Sequence, residues 1–235
     1  MNSGSASGKA ACRMSVIMPV LNEAPVIASM LSTLAPLRLR GVEVIVVDGG
    51  SSDNTASLAG ALTDKLLQSP RGRARQMNAG ALASRGEILL FLHADTSLPD
   101  KAEHAVIHGL NASGKAWGRF DVRITGRSIL LKLVSGMMNL RSRLTGIATG
   151  DQGIFVRRED FFAVGGFPEQ DLMEDIEISR RLKRRSSPLC LRQSAVTSGR
   201  RWEKEGVWRT IMLMWRLRLL YWFGVPSEEL ARSYR

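Results

Sequence analysis

The chain has 235 residues, 44% apolar and 23% charged, with 33 Lys plus Arg against 22 Asp plus Glu and a formal net charge of +11. That length and composition belong to a globular protein with one sizeable core and exclude a disordered chain. The basic balance attracts phosphates, anionic lipid or nucleic acid without choosing among them. The two cysteines, Cys12 and Cys190, imply no disulfide framework and suit a reducing, cytoplasmic home.

The first 13 residues are rich in Ser, Gly and Ala and lack an apolar core of signal-peptide length, so a disordered leader is expected there. Ser15 to Val20 predicts a strand, Glu23 to Leu34 a helix, and Glu43 to Val47 a second strand. Asp53 or Asn54 is a cap for a helix through Leu62. Lys65 to Gln68 reads as a short strand, and Arg71 to Ser84 as a helix with Met77 and Ala81 inward. Glu87 to Leu92 is the next strand, and Pro99 opens the helix after it. Such alternation predicts βαβ units: an α/β fold, Rossmann-like, with a mostly parallel sheet flanked by helices.

A loop over Leu110 to Lys115 divides this domain, residues 14–235, into halves at 14–112 and 113–205. Beyond it, Trp117 to Ile124 predicts a strand and Ile129 to Leu144 a helix bearing Lys132, Arg141 and Arg143. Gly153 to Val156 is a strand, Arg158 to Val164 a short helix, and Glu174 to Arg185 a longer one. Residues 206–235 form a C-terminal amphipathic helical segment. Its apolar stretch 207–225 is interrupted by Arg209, Arg216 and Arg218, each costly at a bilayer centre.

A carboxylate closes each of two apolar runs. One is Val42-Glu43-Val44-Ile45-Val46-Val47-Asp48; the other runs from Glu87 through Leu92 to His93-Ala94-Asp95. In an open α/β sheet the ligand crevice lies beyond the carboxyl ends of the strands. Asp48 and Asp95 are therefore expected at the rim where a nucleotide and its metal belong. Asp48 can accept from a uracil-type ring N–H or a ribose hydroxyl; the bland alternative is a cap for the turn at Gly49 and Gly50.

The opening Ser15-Val16-Ile17-Met18-Pro19-Val20-Leu21-Asn22-Glu23-Ala24, the run Val47-Asp48-Gly49-Gly50-Ser51-Ser52-Asp53-Asn54-Thr55, and Gly165-Gly166-Phe167 with Glu174-Asp175 follow one another along the chain. Together they resemble the family 2 glycosyltransferases with a GT-A fold, over about Met14 to Tyr221. His93-Ala94-Asp95-Thr96 and Arg200-Arg201-Trp202 resemble a small bacterial subgroup of that family with mostly undefined acceptors. The resemblance implies transfer of a sugar from a nucleotide-diphosphate donor, a UDP-sugar being favoured, to an acceptor hydroxyl. It makes 14–112 the nucleotide-sugar half and 113–205 the acceptor half.

On the donor side the resemblance implies Pro19, Glu23, Asp48, Asp53, Arg71, Arg75, Asn78, His93 and Asp95. Glu23 is otherwise a first-turn helix acid, the arginines a solvated basic face, and His93 a hydrogen-bonded core histidine. Relatives mostly carry Asp-x-Asp where this chain has His93-Ala94-Asp95, which leaves Asp95 as the metal ligand for Mg²⁺ or Mn²⁺, aided or not by His93. Asp175 stands where the family keeps its base, with Glu174 as support or substitute; the bland alternative is an acid pair complementing a helix dipole. Asp151 and Gln152 are expected beside the acceptor or sugar.

Arg201 and Trp202 stand where processive synthases carry Gln-x-x-Arg-Trp, and Ser198 in place of the Gln argues for a non-processive enzyme. The final segment either lies on the anionic inner face of the membrane, packs on the sheet, or meets a second subunit in a homodimer. Two other classes compete. A nucleotidyltransferase usually has a Gly-rich loop after its first strand, and Leu21-Asn22-Glu23-Ala24 has no glycine. A basic membrane or nucleic-acid module needs no strand-end carboxylates, and the aromatic interleaving of RNA binders is absent, so no nucleic-acid partner is expected.

Overall fold

The computed structural model describes residues 12–234, with the side chains of residues 201 and 234 left out. The leader expectation therefore falls mostly outside the described residues. From Met14 onward strands and helices alternate: β1 (Met14–Val20), α1 (Ala24–Leu39), β2 (Glu43–Asp48), α2 (Thr55–Gly60), β3 (Lys65–Gln68), α3 (Arg73–Ala83) and β4 (Ile88–Phe91). Every residue of β2 and β4 is buried. That is the near-continuous apolar run of a strand covered on both faces.

Alternate residues of each strand feed two cores. Val16, Met18, Val44, Val46 and Leu90 pack with α1 on one side. Ile17, Ile45, Val47, Leu89 and Phe91 pack with Met77 and Ala81 of α3 on the other. This is the period of two at work, and Met77 and Ala81 point inward as expected.

After β4 come β5 (Thr96–Ser97), α4 (Ala102–Ser113), β6 (Trp117–Thr125), α5 (Leu130–Thr145), a 3₁₀ turn (Gly150–Gln152), β7 (Ile154–Arg157), α6 (Arg158–Ala163), α7 (Glu174–Leu182), β8 (Leu189–Ser198), α8 (Arg200–Glu205), α9 (Val207–Trp222) and α10 (Ser227–Tyr234). Among the described residues the strands form one eight-stranded sheet, ordered β3-β2-β1-β4-β7-β6-β8-β5. β3, β2, β1 and β4 are mutually parallel, as is β6 with β8. β7 runs antiparallel between β4 and β6, and β5 antiparallel to β8. The sheet is mostly parallel, as the alternation predicts, with antiparallel pairing only at β7 and between β5 and β8.

Four expectations are corrected. Helix α1 continues past Leu34 to Leu39 through Pro36, because Leu37 extends the buried stripe of Ile27, Met30, Leu31 and Leu34. Burying one more leucine gives about 1.5–3 kcal/mol, comparable with the ~3 kcal/mol an interior proline costs. Helix α4 starts at Ala102, not at Pro99, because Thr96 and Ser97 pair with β8 and the left-handed Lys101 (φ 52°) makes the turn into the helix. The same helix runs through Asn111 to Ser113, so the dividing loop begins at Gly114. Strand β8 was not anticipated: its pairing with β6 shifts register between Phe120 and Asp121, and that irregularity breaks the alternation a strand would display.

Candidate active site

Where β4 ends, Leu92 N–H still donates to Ile17 O (3.0 Å), and the chain then turns, Thr96 N–H returning to His93 O (3.2 Å). The turn sets His93 and Asp95 past the carboxyl edge of the sheet. Opposite them the 3₁₀ turn is fixed by a capping box, in which Thr149 N–H donates to Gln152 Oε1 (3.1 Å). It delivers Asp151, whose Oδ1 lies 3.2 Å from His93 Nδ1.

Ligand atoms of His93, Asp95 and Asp151 all fall within 4.8 Å of one another. The Asp151 carboxyl is pulled below its ordinary value: burial opposes this, and the His93 hydrogen bond and charge outweigh it. Glycine is needed at 150 for the approach, since a Cβ there would lie 2.3 Å from His93 Cε1.

The same turn reaches the acids of α7. Gly150 N–H donates to Asp175 Oδ2 (3.1 Å), and Ile176 N–H to Asp175 Oδ1 (2.8 Å). Glu174 is buried beside it, with Oε1 3.2 Å from Arg73 Nη1. Burial raises the Glu174 carboxyl; Arg73 works against that and Asp175 adds to it.

These groups line a cavity of about 560 Å³ whose other walls are helices α5 and α9. Each helix contributes an apolar face and one arginine, Arg141 from α5 and Arg218 from α9. Burial, and then Arg218, depress the Arg141 guanidinium to about 10, with Asp175 opposing. Trp202 borders the same cavity and packs against Ile124, Leu131 and Val134. The side chain of Arg201 lies outside the described residues.

At the first strand ends, Asp48 is buried and accepts from Gly50 N–H (3.2 Å), Ser51 N–H (3.0 Å) and Ser51 Oγ, so its carboxylate shapes the turn after β2. Asp53 accepts from Thr55 N–H (3.0 Å) and Ala24 N–H (3.2 Å), tying the starts of α1 and α2 together. Pro19 sits half-buried in β1 opposite Val47. Glu23 is half-buried before α1; burial raises its carboxyl, Asp95 and Asp53 add to the rise, and Arg200 and His93 oppose it. Asp95 is thus electrostatically linked to the crevice of the first strands.

Two expected residues have their amides committed to other groups, and two lie at the surface. Both ends of the Asn78 amide are spent on the backbone of Phe167, at 2.8 and 3.0 Å, and so hold the Gly165-Gly166 turn, whose φ values of +79° and +68° favour glycine. Arg71 is exposed, and Arg75 pairs with Glu169 at the surface (3.2 Å). Gln152 is fully buried, its amide committed to Thr149 and Asn139, so it presents nothing to the cavity.

Sequence reasoning singled out neither Arg141 nor Arg218 for the site, and it did not separate Arg73 from its neighbours. It also passed over Gln76, whose Nε2 donates to Val20 O (2.8 Å) and Val47 O (2.7 Å) where β1 and β2 end. A lone glutamine beside Met77 on the buried face of a helix was the available signal.

A curled, mostly parallel sheet with carboxylates past its strand ends is the GT-A architecture. The profile of glycosyl transferase family 2 matches residues 15–162, and the chain belongs to that family. The poly-beta-1,6-N-acetyl-D-glucosamine synthase of Staphylococcus aureus is 24% identical over 216 residues, which are 82% of this chain and 52% of that protein. The chain thus spans about half the length of the curated relatives it matches.

S. aureus TarS 1-349 in complex with UDP aligns with a TM-score of 0.65 at 19% identity, covering 79% of this chain and 60% of that one. The mannosyltransferase PcManGT of Pyrobaculum calidifontis, in complex with GDP-Man and Mn2+, aligns with a TM-score of 0.60 at 22% identity, covering 78% and 56%.

Proposed function

We propose that this protein transfers a sugar from a nucleotide-diphosphate donor to an acceptor hydroxyl, by a single inverting displacement and without threading a polymer. The observation that carries this reading is the meeting of His93, Asp95 and Asp151 with Asp175 across one turn, Gly150-Asp151. The first set suits a metal–diphosphate and the second a proton acceptor.

Pro19, Glu23 and Asp48 border the nucleotide pocket. UDP is the favoured nucleotide, in line with the UDP complex of TarS; the GDP-Man complex of PcManGT makes guanosine the alternative. His93, Asp95 and Asp151 would hold Mn²⁺ or Mg²⁺. Two carboxylates suit either ion, and the imidazole tips the set toward Mn²⁺. A bound divalent ion neutralises charge developing on the departing diphosphate.

Asp175 takes the acceptor proton. Each of its oxygens accepts one backbone N–H and keeps lone-pair capacity for a hydroxyl. Glu174 is buried and held by Arg73, which suits it to support Asp175, not to replace it. Trp202 flanks the acceptor, and Ser198 in place of a glutamine is the feature behind the non-processive reading.

No helix among the described residues is long and apolar enough to cross a membrane. Helix α9 nonetheless exposes Trp208, Trp215 and Trp222 together with Arg209 and Arg216. That mixture suits peripheral contact with an anionic leaflet. Co-sedimentation with phosphatidylglycerol vesicles, and not with phosphatidylcholine vesicles, is the expected behaviour.

The test of function is incubation with a panel of nucleotide sugars and Mn²⁺, following release of the nucleotide diphosphate. Slow hydrolysis of one donor even without acceptor is expected. Inertness toward the whole panel, with no nucleotide bound, would contradict the reading.

A further inference from the structure

We infer that Arg141 and Arg218 form a seat for an anion at the acceptor end of the cavity, and that the acceptor carries a phosphate or carboxylate beside an apolar body. The second half of this statement rests on the glycosyl-transfer reading; the seat itself does not.

The two guanidinium groups approach one cavity from facing helices. Nε and Nη2 of Arg141, and Nε of Arg218, are buried without a hydrogen-bond partner. Among the described residues neither arginine forms an ion pair. A buried charged donor left unsatisfied is expensive, so such groups are kept where a ligand completes them. The nearest acids do not fill that role: Asp175 is held by two backbone N–H groups, and Asp151 faces His93. Arg218 also lies close enough to depress Arg141, an arrangement that a shared anion relieves.

The pair lies beside the proposed base, in the cavity that the candidate metal ligands also line. Arg218 senses Asp175 and Asp151, and Arg141 senses Asp175, the proposed base. Glu23, on the donor side, senses Arg200 instead. Around the pair the cavity walls are apolar, with Met137 and Leu144 on α5 and Met214 and Trp215 on α9. Three of these, Met137, Leu144 and Trp215, are also exposed at the rim. Planar guanidinium forks match phosphate and carboxylate oxygens, and the greasy rim matches a hydrocarbon body attached to them.

Isothermal titration of the full chain with octyl phosphate, glycerol phosphate and inorganic phosphate, each with and without saturating UDP and Mn²⁺, tests the inference. Octyl phosphate should bind tighter than the two apolar-poor probes, and should still bind when UDP and Mn²⁺ are saturating. Arg141→Gln and Arg218→Gln should each weaken it at least about tenfold, while Arg141→Lys and Arg218→Lys lose part of that. UDP affinity should stay unchanged in all four variants, which also reports that they are folded.

Displacement of octyl phosphate by UDP would overturn the inference by assigning the pair to the donor diphosphate. Undiminished binding in the Gln variants would overturn the seat, and equal affinity for glycerol phosphate would overturn the apolar part. Failure of every nucleotide diphosphate to bind, with arginine-dependent octyl phosphate binding intact, would remove the transferase reading and leave the seat standing.

Discussion

Asp151 Oδ1 stands 3.2 Å from His93 Nδ1, although 58 residues separate them in the chain. The contact supplies a carboxylate that the His93-Ala94-Asp95 sequence lacks by itself, and it brings the candidate metal ligands to three. Asp151→Ala should therefore remove the gain in nucleotide-diphosphate affinity on adding Mn²⁺, as Asp95→Ala should. Calorimetry of the folded variants reads this directly. A full Mn²⁺ gain in Asp151→Ala would reduce the contact to a simple hydrogen bond.

Gly150 lies between the candidate metal ligands and the proposed base. A methyl group there would sit 2.3 Å from the His93 ring, which must rotate away. Gly150→Ala should weaken Mn²⁺-dependent binding with little change in metal-free binding. A variant indistinguishable from wild type in both would show that the ring has room to spare.

Asp175→Asn keeps the size of the side chain and loses the proton acceptor. Donor binding should persist while turnover falls by about 10²–10⁴-fold. Glu174→Gln should cost less, since Glu174 is turned to Arg73. Normal turnover in Asp175→Asn with a dead Glu174→Gln would reverse the assignment.

Asp48→Asn should weaken donor binding and also lower the thermal midpoint of the free protein. The carboxylate accepts hydrogen bonds from Gly50 and Ser51 in the free protein. Replacing one of its oxygens by an amide costs about 0.5–1.5 kcal/mol. A lowered midpoint with unaltered nucleotide affinity would make Asp48 a turn residue only.

Acid stability should depend on Glu43, far from the cavity. Burial raises its carboxyl, but Ser15 Oγ (2.6 Å), Arg85 N–H (2.8 Å) and Lys65 Nζ (3.1 Å) outweigh that and leave it below its ordinary value. The folded pKa is thus depressed below the unfolded one of about 4.3. The resulting stability is present above that pH and lost as pH falls through the folded value. Glu43→Gln should cost about 1–3 kcal/mol at pH 7 and flatten the acid limb of the denaturation curve. An unchanged acid limb would place the sensitivity in other carboxylates.

Strand ends were legible because buried parallel strands advertise themselves as unbroken apolar runs, and a polar residue closing one stands out. Asp48, Asp95 and Asp175 stand out in that way or through motif order. What stayed hidden depends on three-dimensional approach. Nothing in the linear pattern brings Asp151 to His93, and Arg141 and Arg218 look like the solvent-facing charges of amphipathic helices until α5 and α9 close on one cavity. Asn78 and Gln152 show the converse: residues that resemble ligand contacts have their amides engaged by the backbone and side chains around them.

The central claim is most directly tested by titrating the protein with UDP, GDP, ADP and CDP, with and without Mn²⁺. One diphosphate, UDP on the present account, should bind more tightly with Mn²⁺ in the wild type and lose that gain in Asp95→Ala. Binding of no diphosphate, or affinity indifferent to both the metal and Asp95, would contradict it.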